Sequence, residues 1–592
     1  MIKLSQYGIN KKHMLIFDVA CLLIWLSSLT QAASVFKLYL APYFLVGIIS
    51  VFGICTNAEE KITKKECNIL FCLAVFFSTL VLLGNYSVFS LRDTAFSKAF
   101  NFLLLLLTGI PVFYKALLAA YVKFETVSLT AEDENADSKC KSLLYFFIPF
   151  GIILCIDLIY LFFAAYPGIL TTDSIDQVGQ TYSGVYSNHH PFFHTMLIKL
   201  FYSLGLWLFG NVNAAIATYC VFQVTVMSAI FAFAIYTLHQ LKVKNSIVVF
   251  VLVGYAVIPY NYIYASTVWK DILFSGFCLL LITSLFRLRK NVGSKPLNAI
   301  FFGLASVGVC LFRSNGLFAF VFLFIALAVL FYKSNKIIPI IALCAIIVGV
   351  VLKGPVLSAL DVAKPDTVES LSIPLQQIAR TVRNGGKLTE EEIQYVDSIL
   401  GMDAIPQNYW EYISDPIKNL ARSKGANETI GQDKIKFVKV WLSIGVKNLD
   451  DYIYAWIDQT RGFWNSGYSY WIVGQGVYNN DIGLYSEIQS SVVLDLSKDF
   501  VDALSSGRAL SLLVSTGLLT WIYLTLFVFN LMKRRTGFIE TILGIAIILS
   551  LCVATPVFCE FRYAYGVYTM FPLAFIFALM DKSEFTIRKK VE

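Results

Sequence analysis

The residues best suited to chemistry lie in one stretch, Tyr166 to Thr195, YPGILTTDSIDQVGQTYSGVYSNHHPFFHT. It contains Asp173, Asp176, His189, His190 and His194, and so three of the chain's five histidines. Long apolar segments flank it, and ionisable side chains beside a membrane mark a site by default because desolvating them is costly. A carboxylate such as Asp173 can take the proton from a hydroxyl as that hydroxyl attacks an electrophile. Asp176 is a second acid three residues on. The bland alternative is that Asp173, which follows Thr171 and Thr172, only caps a short helix. His190 and His194 have the i, i+4 spacing of a metal pair. No glutamate lies between them, however, and Pro191 makes His190 a helix cap, so interfacial packing is the better account. No motif demands a cofactor, and a divalent metal is left open.

The elements that must position these residues are mostly apolar. Hydrophobic residues make up 57% of the 592 and charged residues 15%, with a mean hydropathy of +0.68. That balance implies an all-α polytopic membrane protein. The cysteines are spread through apolar segments, so no disulfide framework or zinc motif emerges. Region 355–507 holds 13 Lys and Arg against 20 Asp and Glu, a net of −7, which leaves +15 on the rest of the chain. Such asymmetry orients a chain in a bilayer and does not point to nucleic acid.

Apolar runs able to cross the hydrocarbon, each of roughly 17–25 residues, occur near 14–33, 36–55, 68–89, 98–122, 143–165, 212–238, 246–265, 271–287, 298–313, 315–332, 337–354, 509–533, 537–556 and 563–580. About 14 transmembrane helices are therefore expected. Segment 192–209 contains His194 and Lys199. Counting it as a span would put the basic loops HQLKVKN, RLRKNVGSK, YKSNK and MKRRTG on the wrong side. It is expected instead as an amphipathic helix on the outer surface. Both termini are then cytoplasmic, in a plasma-membrane protein whose residues 355–507 are extracellular.

Four parts follow from this reading. Residues 1–142 carry four extra helices, 143–354 form a membrane core with an outer loop at 166–211, 355–507 form a mainly helical extracytoplasmic domain, and 508–592 supply three helices and a tail. Thr389 with Glu392 predicts a capping box for TEEEIQYVDSIL, and VVLDLSKDFVDAL (492–504) predicts a second amphipathic helix. Tyr452 to Tyr478 is dense in Trp, Tyr, Gly and Asn, which suits stacking on sugars or a membrane interface.

This pattern resembles the polytopic glycosyltransferases of the C-type (GT-C) fold, which include protein O-mannosyltransferases, the aminoarabinose transferase and oligosaccharyltransferase catalytic subunits. The resemblance rests on an acid in the first outer loop of the core, Asp173 in PGILTTDSIDQ, followed by an interfacial helix. It rests also on short loops ending in one large outer domain, and on Glu560-Phe561-Arg562-Tyr563 before the last span. The text around SIPLQQIAR (372–380) looks like an uncharacterised family of Gram-positive membrane proteins related to that superfamily. The resemblance implies a GT-C-like fold and inverting transfer of a sugar from a polyprenyl-phosphate donor to a cell-envelope glycan, lipid or protein acceptor. Asp173 would then be the base and Asp176 its helper. Lys270, Arg313, Arg380, Arg461 and Arg562, with Glu560, Tyr563, His189 and His190, would bind the donor, because an anionic leaving group needs cations. A transporter or flippase would instead place its ionisable groups near the midplane, where only Asp157 and Lys199 lie. A polysaccharide polymerase or ligase would be expected to have histidine in its large loop, and region 355–507 has none.

Overall fold

The computed structural model describes residues 11–33, 38–56, 62–86, 95–131, 139–469 and 474–585. The chain is an all-helical polytopic membrane protein. Among the described residues, twelve helices are long and apolar enough to cross a membrane. Within the described residues each expected apolar run is mainly helical, but Ala41–Cys55 and Thr516–Met532 are short, and run 246–265 is broken. Phe192–Phe209, expected on the surface, passes the same test of length and apolarity. Its Lys199 donates to the Tyr186 hydroxyl at 2.7 Å, which gives the charge a polar partner. Residues 57–61 of one basic loop, the tail from 586 and residues 470–473 of the aromatic stretch lie outside the described residues.

The break has a local cause that matters for the site. Asn245–Val257 and Pro259–Ala265 meet at 50°, because Pro259 has no N–H to donate and holds Ile258 extended (φ −67°, ψ 124°). Asn261 covers the carbonyls left without partners, donating to Gly254 and Tyr255 at 3.0 and 3.1 Å. Its own oxygen accepts from the Tyr565 hydroxyl at 3.0 Å. The bend delivers the chain into the turn 266–269 and then into Lys270–Lys290, the most enclosed of the candidate spans.

Lys270–Lys290 is the axis of the main core. Met227, Phe274, Leu279, Phe302, Tyr565 and Phe577 pack in the cluster around it. Its last turn carries Arg287, Arg289 and Lys290, where the helix dipole favours cations. Arg289 pairs with Glu540 and Asp581, and Lys290 with Asp581. This fixes one end of the helix and leaves Lys270 and Asp271 at the other.

The four N-terminal helices have a separate core, with Trp25, Tyr43, Phe77 and Phe113 closed by Trp521 and Phe529 of Thr516–Met532. The helical domain has its own core as well, built on Leu375, Val396, Ile417, Ile430 and Ile444. Its expected capping box forms: the Thr389 N–H donates to Glu392 at 2.7 Å, and the Glu392 N–H donates to the Thr389 hydroxyl at 3.4 Å. Ser491–Ser505, the second amphipathic helix, packs Val493, Leu494, Phe500, Val501 and Leu504 against the membrane core instead, and leaves Val492 and Leu496 exposed.

Candidate functional site

Asp173 is placed by backbone pairing on both sides of residues 166–170. The Ile169 N–H donates to the Ser266 carbonyl at 2.9 Å, and the Val268 N–H returns a bond to Ile169 at 3.0 Å. On the other side, Leu170 and Tyr478 donate to Gly476 and Leu170 at 3.0 and 2.9 Å. Helix Thr172–Ser183 starts from this clamp. The Ser174 hydroxyl accepts from the Thr171 N–H at 3.2 Å and donates to the Val268 carbonyl at 2.8 Å. The helix start is therefore served by Thr171 and Ser174, and the Asp173 carboxylate is free for another partner. Helix-capping is not its task.

That partner is Arg562, at 3.1 Å. Arg562 also pairs with Glu560, which is buried. Its guanidinium lies 4.8 Å over the Trp269 ring and 5.1 Å over the Tyr563 ring, and Trp269 is held by its indole N–H donating to Thr171 at 2.8 Å. Arg313 lies 5.1 Å over the same Tyr563 ring and is paired with Asp271. Lys270 donates to His190 Nδ1 at 3.0 Å, which makes Nδ1 the bare nitrogen and puts the ring proton on Nε2, 3.5 Å from Asp176. Six predicted residues, Asp173, Lys270, Arg313, Glu560, Arg562 and Tyr563, thus meet around one face of the turn 269–271. Asp176 and His190 extend the array toward solvent.

The charges set the proton states. Burial pushes the Asp173 carboxyl up, but the Lys270 ammonium and the Arg562 guanidinium hold it well below the usual carboxylate range. Burial raises Glu560, with Arg562 opposing. Burial and the neighbouring Lys270 push His190 down to about 3, so it is neutral at physiological pH. Asp173 keeps 35% of its side chain exposed and Asp176 keeps 54%, so both carboxylates remain accessible to a hydroxyl.

Other predicted residues stand elsewhere. His189 is exposed at the rim. His194 is fully buried and bonds to Gln177 at 3.0 Å and Tyr219 at 2.7 Å. Gln223, bonded to Tyr219, donates to the Ala265 and Thr267 carbonyls. His194 is thus a strut that ties helix Phe192–Phe209 to the turn behind the site. Among the described residues, no three His, Cys, Asp or Glu side chains come together as a metal-binding set.

Arg380 and Arg461 do not join Asp173. Both face Asp458, at 2.7 and 3.6 Å, and Asp458 also accepts from the Tyr86 hydroxyl at 2.7 Å. Arg461 lies among the rings of Tyr468, Tyr412, Tyr86 and Phe558. These two arginines, expected among the donor-binding residues, lie apart from the Asp173 cluster and are held by a buried carboxylate of their own. Arg461→Met is expected to destabilise the fold by about 1–3 kcal/mol, since buried Asp458 loses one cation but keeps Arg380 and the Tyr86 hydroxyl. The loss should appear as a lower unfolding midpoint in detergent, with the Asp173–Arg562 pair intact.

Sequence reasoning passed over Lys353. Its ammonium donates to the Arg313 carbonyl at 3.0 Å. The available signal was a lone lysine followed by Gly354-Pro355 at the end of an apolar run. Nor did sequence identify Asp271 as the partner of Arg313.

Fold and site together define a polytopic membrane protein with a charged, partly open cluster where its apolar helices end. The chain belongs to a family of unknown function, DUF6020, whose model matches residues 180–592. The match begins inside helix Thr172–Ser183, after Asp173 and Asp176. No curated protein and no solved structure matches the chain.

Proposed function

We propose that this protein is a membrane glycosyltransferase of the GT-C type. It transfers a sugar from a polyprenyl-phosphate donor to a hydroxyl of a cell-envelope acceptor, with inversion. The observation that carries the reading is the accessible Asp173 carboxylate set among Lys270, Arg562 and Arg313 at the end of the apolar bundle. In this reading the site and residues 355–507 face outward, both termini are cytoplasmic, fourteen helices span the plasma membrane, and Phe192–Phe209 lies at its surface.

The chemistry follows from the groups present. The acceptor oxygen bonds to the anomeric carbon on the face opposite the phosphate, and its proton passes to Asp173. The bond from the anomeric carbon to the phosphate oxygen breaks, and the electron pair leaves on the polyprenyl phosphate. Lys270 and Arg562 meet that charge, and Asp176 orients the acceptor. At rest the same two cations hold Asp173, so an arriving phosphate competes for them and frees the base. The site thus favours deprotonating an acceptor only when a donor is bound.

A pH consequence follows. Asp173 is depressed in the free protein, so its base form is present above its folded pKa and lost only as pH falls through it. Profiles of kcat/KM, which report the free enzyme, should be flat down through the ordinary carboxylate range near ~4. Profiles of kcat, which report the donor complex, should show an acid limb at higher pH. A kcat/KM limb near neutrality would assign the base to another group. Turnover of a panel of polyprenyl-phosphate sugars by the purified protein tests the reaction itself.

One observation favours a transporter as second reading. Asp157 is buried within helix Lys139–Ala164, and its Oδ1 has no hydrogen-bond partner. Intramembrane acids of this kind mark transport pathways.

A further inference from the structure

We infer that Lys353 is the residue that first receives the donor's phosphate as the lipid enters sideways from the bilayer. This rests on the transferase reading. Lys353 sits in a π-helical turn, Leu352–Val356, that continues helix Ile337–Val351. Pro355 lies within that turn and has no N–H for an α-helical bond, which accounts for the widening. A widened turn shifts the side-chain register. Here it brings the Lys353 ammonium to the Arg313 carbonyl, at the break between helices Lys295–Phe312 and Ser314–Phe331.

Three features separate Lys353 from a lysine that merely snorkels to the surface. First, among the described residues no carboxylate lies within salt-bridge distance of it, whereas Arg313 and Arg562 are each paired with an acid. Second, it continues the cation row: Arg562 and Arg313 share the Tyr563 ring, and Lys353 holds the Arg313 backbone. Third, its helix is open on one side. Ile340, Leu343, Ile347 and Val350 are exposed apolar side chains below it, and a Cβ built at Gly354 would meet no atom within 4 Å. A polyprenyl chain fits along that apolar face with its phosphate at the level of Lys353. From there the headgroup passes to Arg313 and Arg562 without leaving the polar boundary. A lipid-linked phosphate diester, the form the phosphate takes in the donor, is the anion this arrangement suits, because its chain can lie along that apolar face while the charge meets Lys353.

The test measures binding of polyprenyl phosphate, the leaving group that carries the donor's lipid and phosphate, and of polyprenol and inorganic phosphate to the full chain in detergent, for wild type, Lys353→Met and Lys353→Arg. Wild type should prefer polyprenyl phosphate to polyprenol. Lys353→Met should weaken polyprenyl phosphate about 10- to 100-fold, the size of one charged hydrogen bond. It should leave polyprenol and inorganic phosphate unchanged, and Lys353→Arg should restore most of the loss. Should the methionine variant not fold, Lys353→Gln carries the same comparison. Equal affinity of wild type and Lys353→Met for polyprenyl phosphate overturns the inference while leaving Asp173-dependent turnover intact. Equal weakening of inorganic phosphate overturns lateral entry. If wild type itself does not distinguish polyprenyl phosphate from polyprenol, the inference falls together with the transferase reading.

Discussion

Asp173→Asn is expected to lower turnover by about 10²–10⁴-fold, the usual contribution of a positioned general base. The amide has the shape of the carboxylate but does not accept the acceptor's proton. Some stability should be lost at neutral pH, where the Asp173 pair is fully formed, but the loss is limited because Arg562 keeps its pair with Glu560 and 35% of the Asp173 side chain is already exposed. The Asp173 pair belongs to a depressed carboxylate, so its contribution is present above the unfolded pKa and disappears as pH falls through the folded one. A folded, inactive variant, somewhat less stable than wild type at neutral pH, is therefore the expected outcome. Equal rates for variant and wild type would remove Asp173 from the mechanism.

Arg562→Met should lose both stability and activity, and a second substitution should separate the two. Glu560 is buried and Arg562 is its ion-pair partner. Removing one member of a buried pair costs about 3–5 kcal/mol, because the other is left uncompensated. Turnover should fall about 10²–10³-fold with the loss of a cation at the leaving phosphate. Combining Arg562→Met with Glu560→Gln removes the stranded charge, so the unfolding midpoint should recover most of the way while turnover stays low. Recovery of both would make Arg562 a structural residue only.

Much of this arrangement was legible from sequence for physical reasons. The apolar runs are long and nearly free of charge, so their helices followed directly. Thr389 and Glu392 capped their helix because that motif needs only four neighbouring residues. Asp173, Lys270, Arg313 and Arg562 stood out because each is a charge at the edge of an apolar run, and the structure brings all four together.

What sequence did not show depends on partners remote in the chain. Nothing near Arg380 or Arg461 announces Tyr86 as a shared neighbour, 372 residues from Asp458. Asp271 likewise opens helix Lys270–Lys290, and its partner Arg313 stands 42 residues on, at the break between two later helices. Segment 192–209 was ambiguous for another reason. A short span and an interfacial helix share a composition, and His194 is buried by protein and not exposed at a surface. Lys353 was hidden because its meaning depends on a local widening of the helix and on a carbonyl 40 residues away.

The most direct test of the central claim is release of polyprenyl phosphate by the purified protein in lipid, given polyprenyl-phosphate sugars and an envelope acceptor, with Asp173→Asn alongside. The account predicts that wild type consumes one of the donors and that the folded variant does not. Movement of a lipid or solute across the bilayer, with no donor consumed by either protein, would contradict it and favour transport through the bundle that holds Asp157.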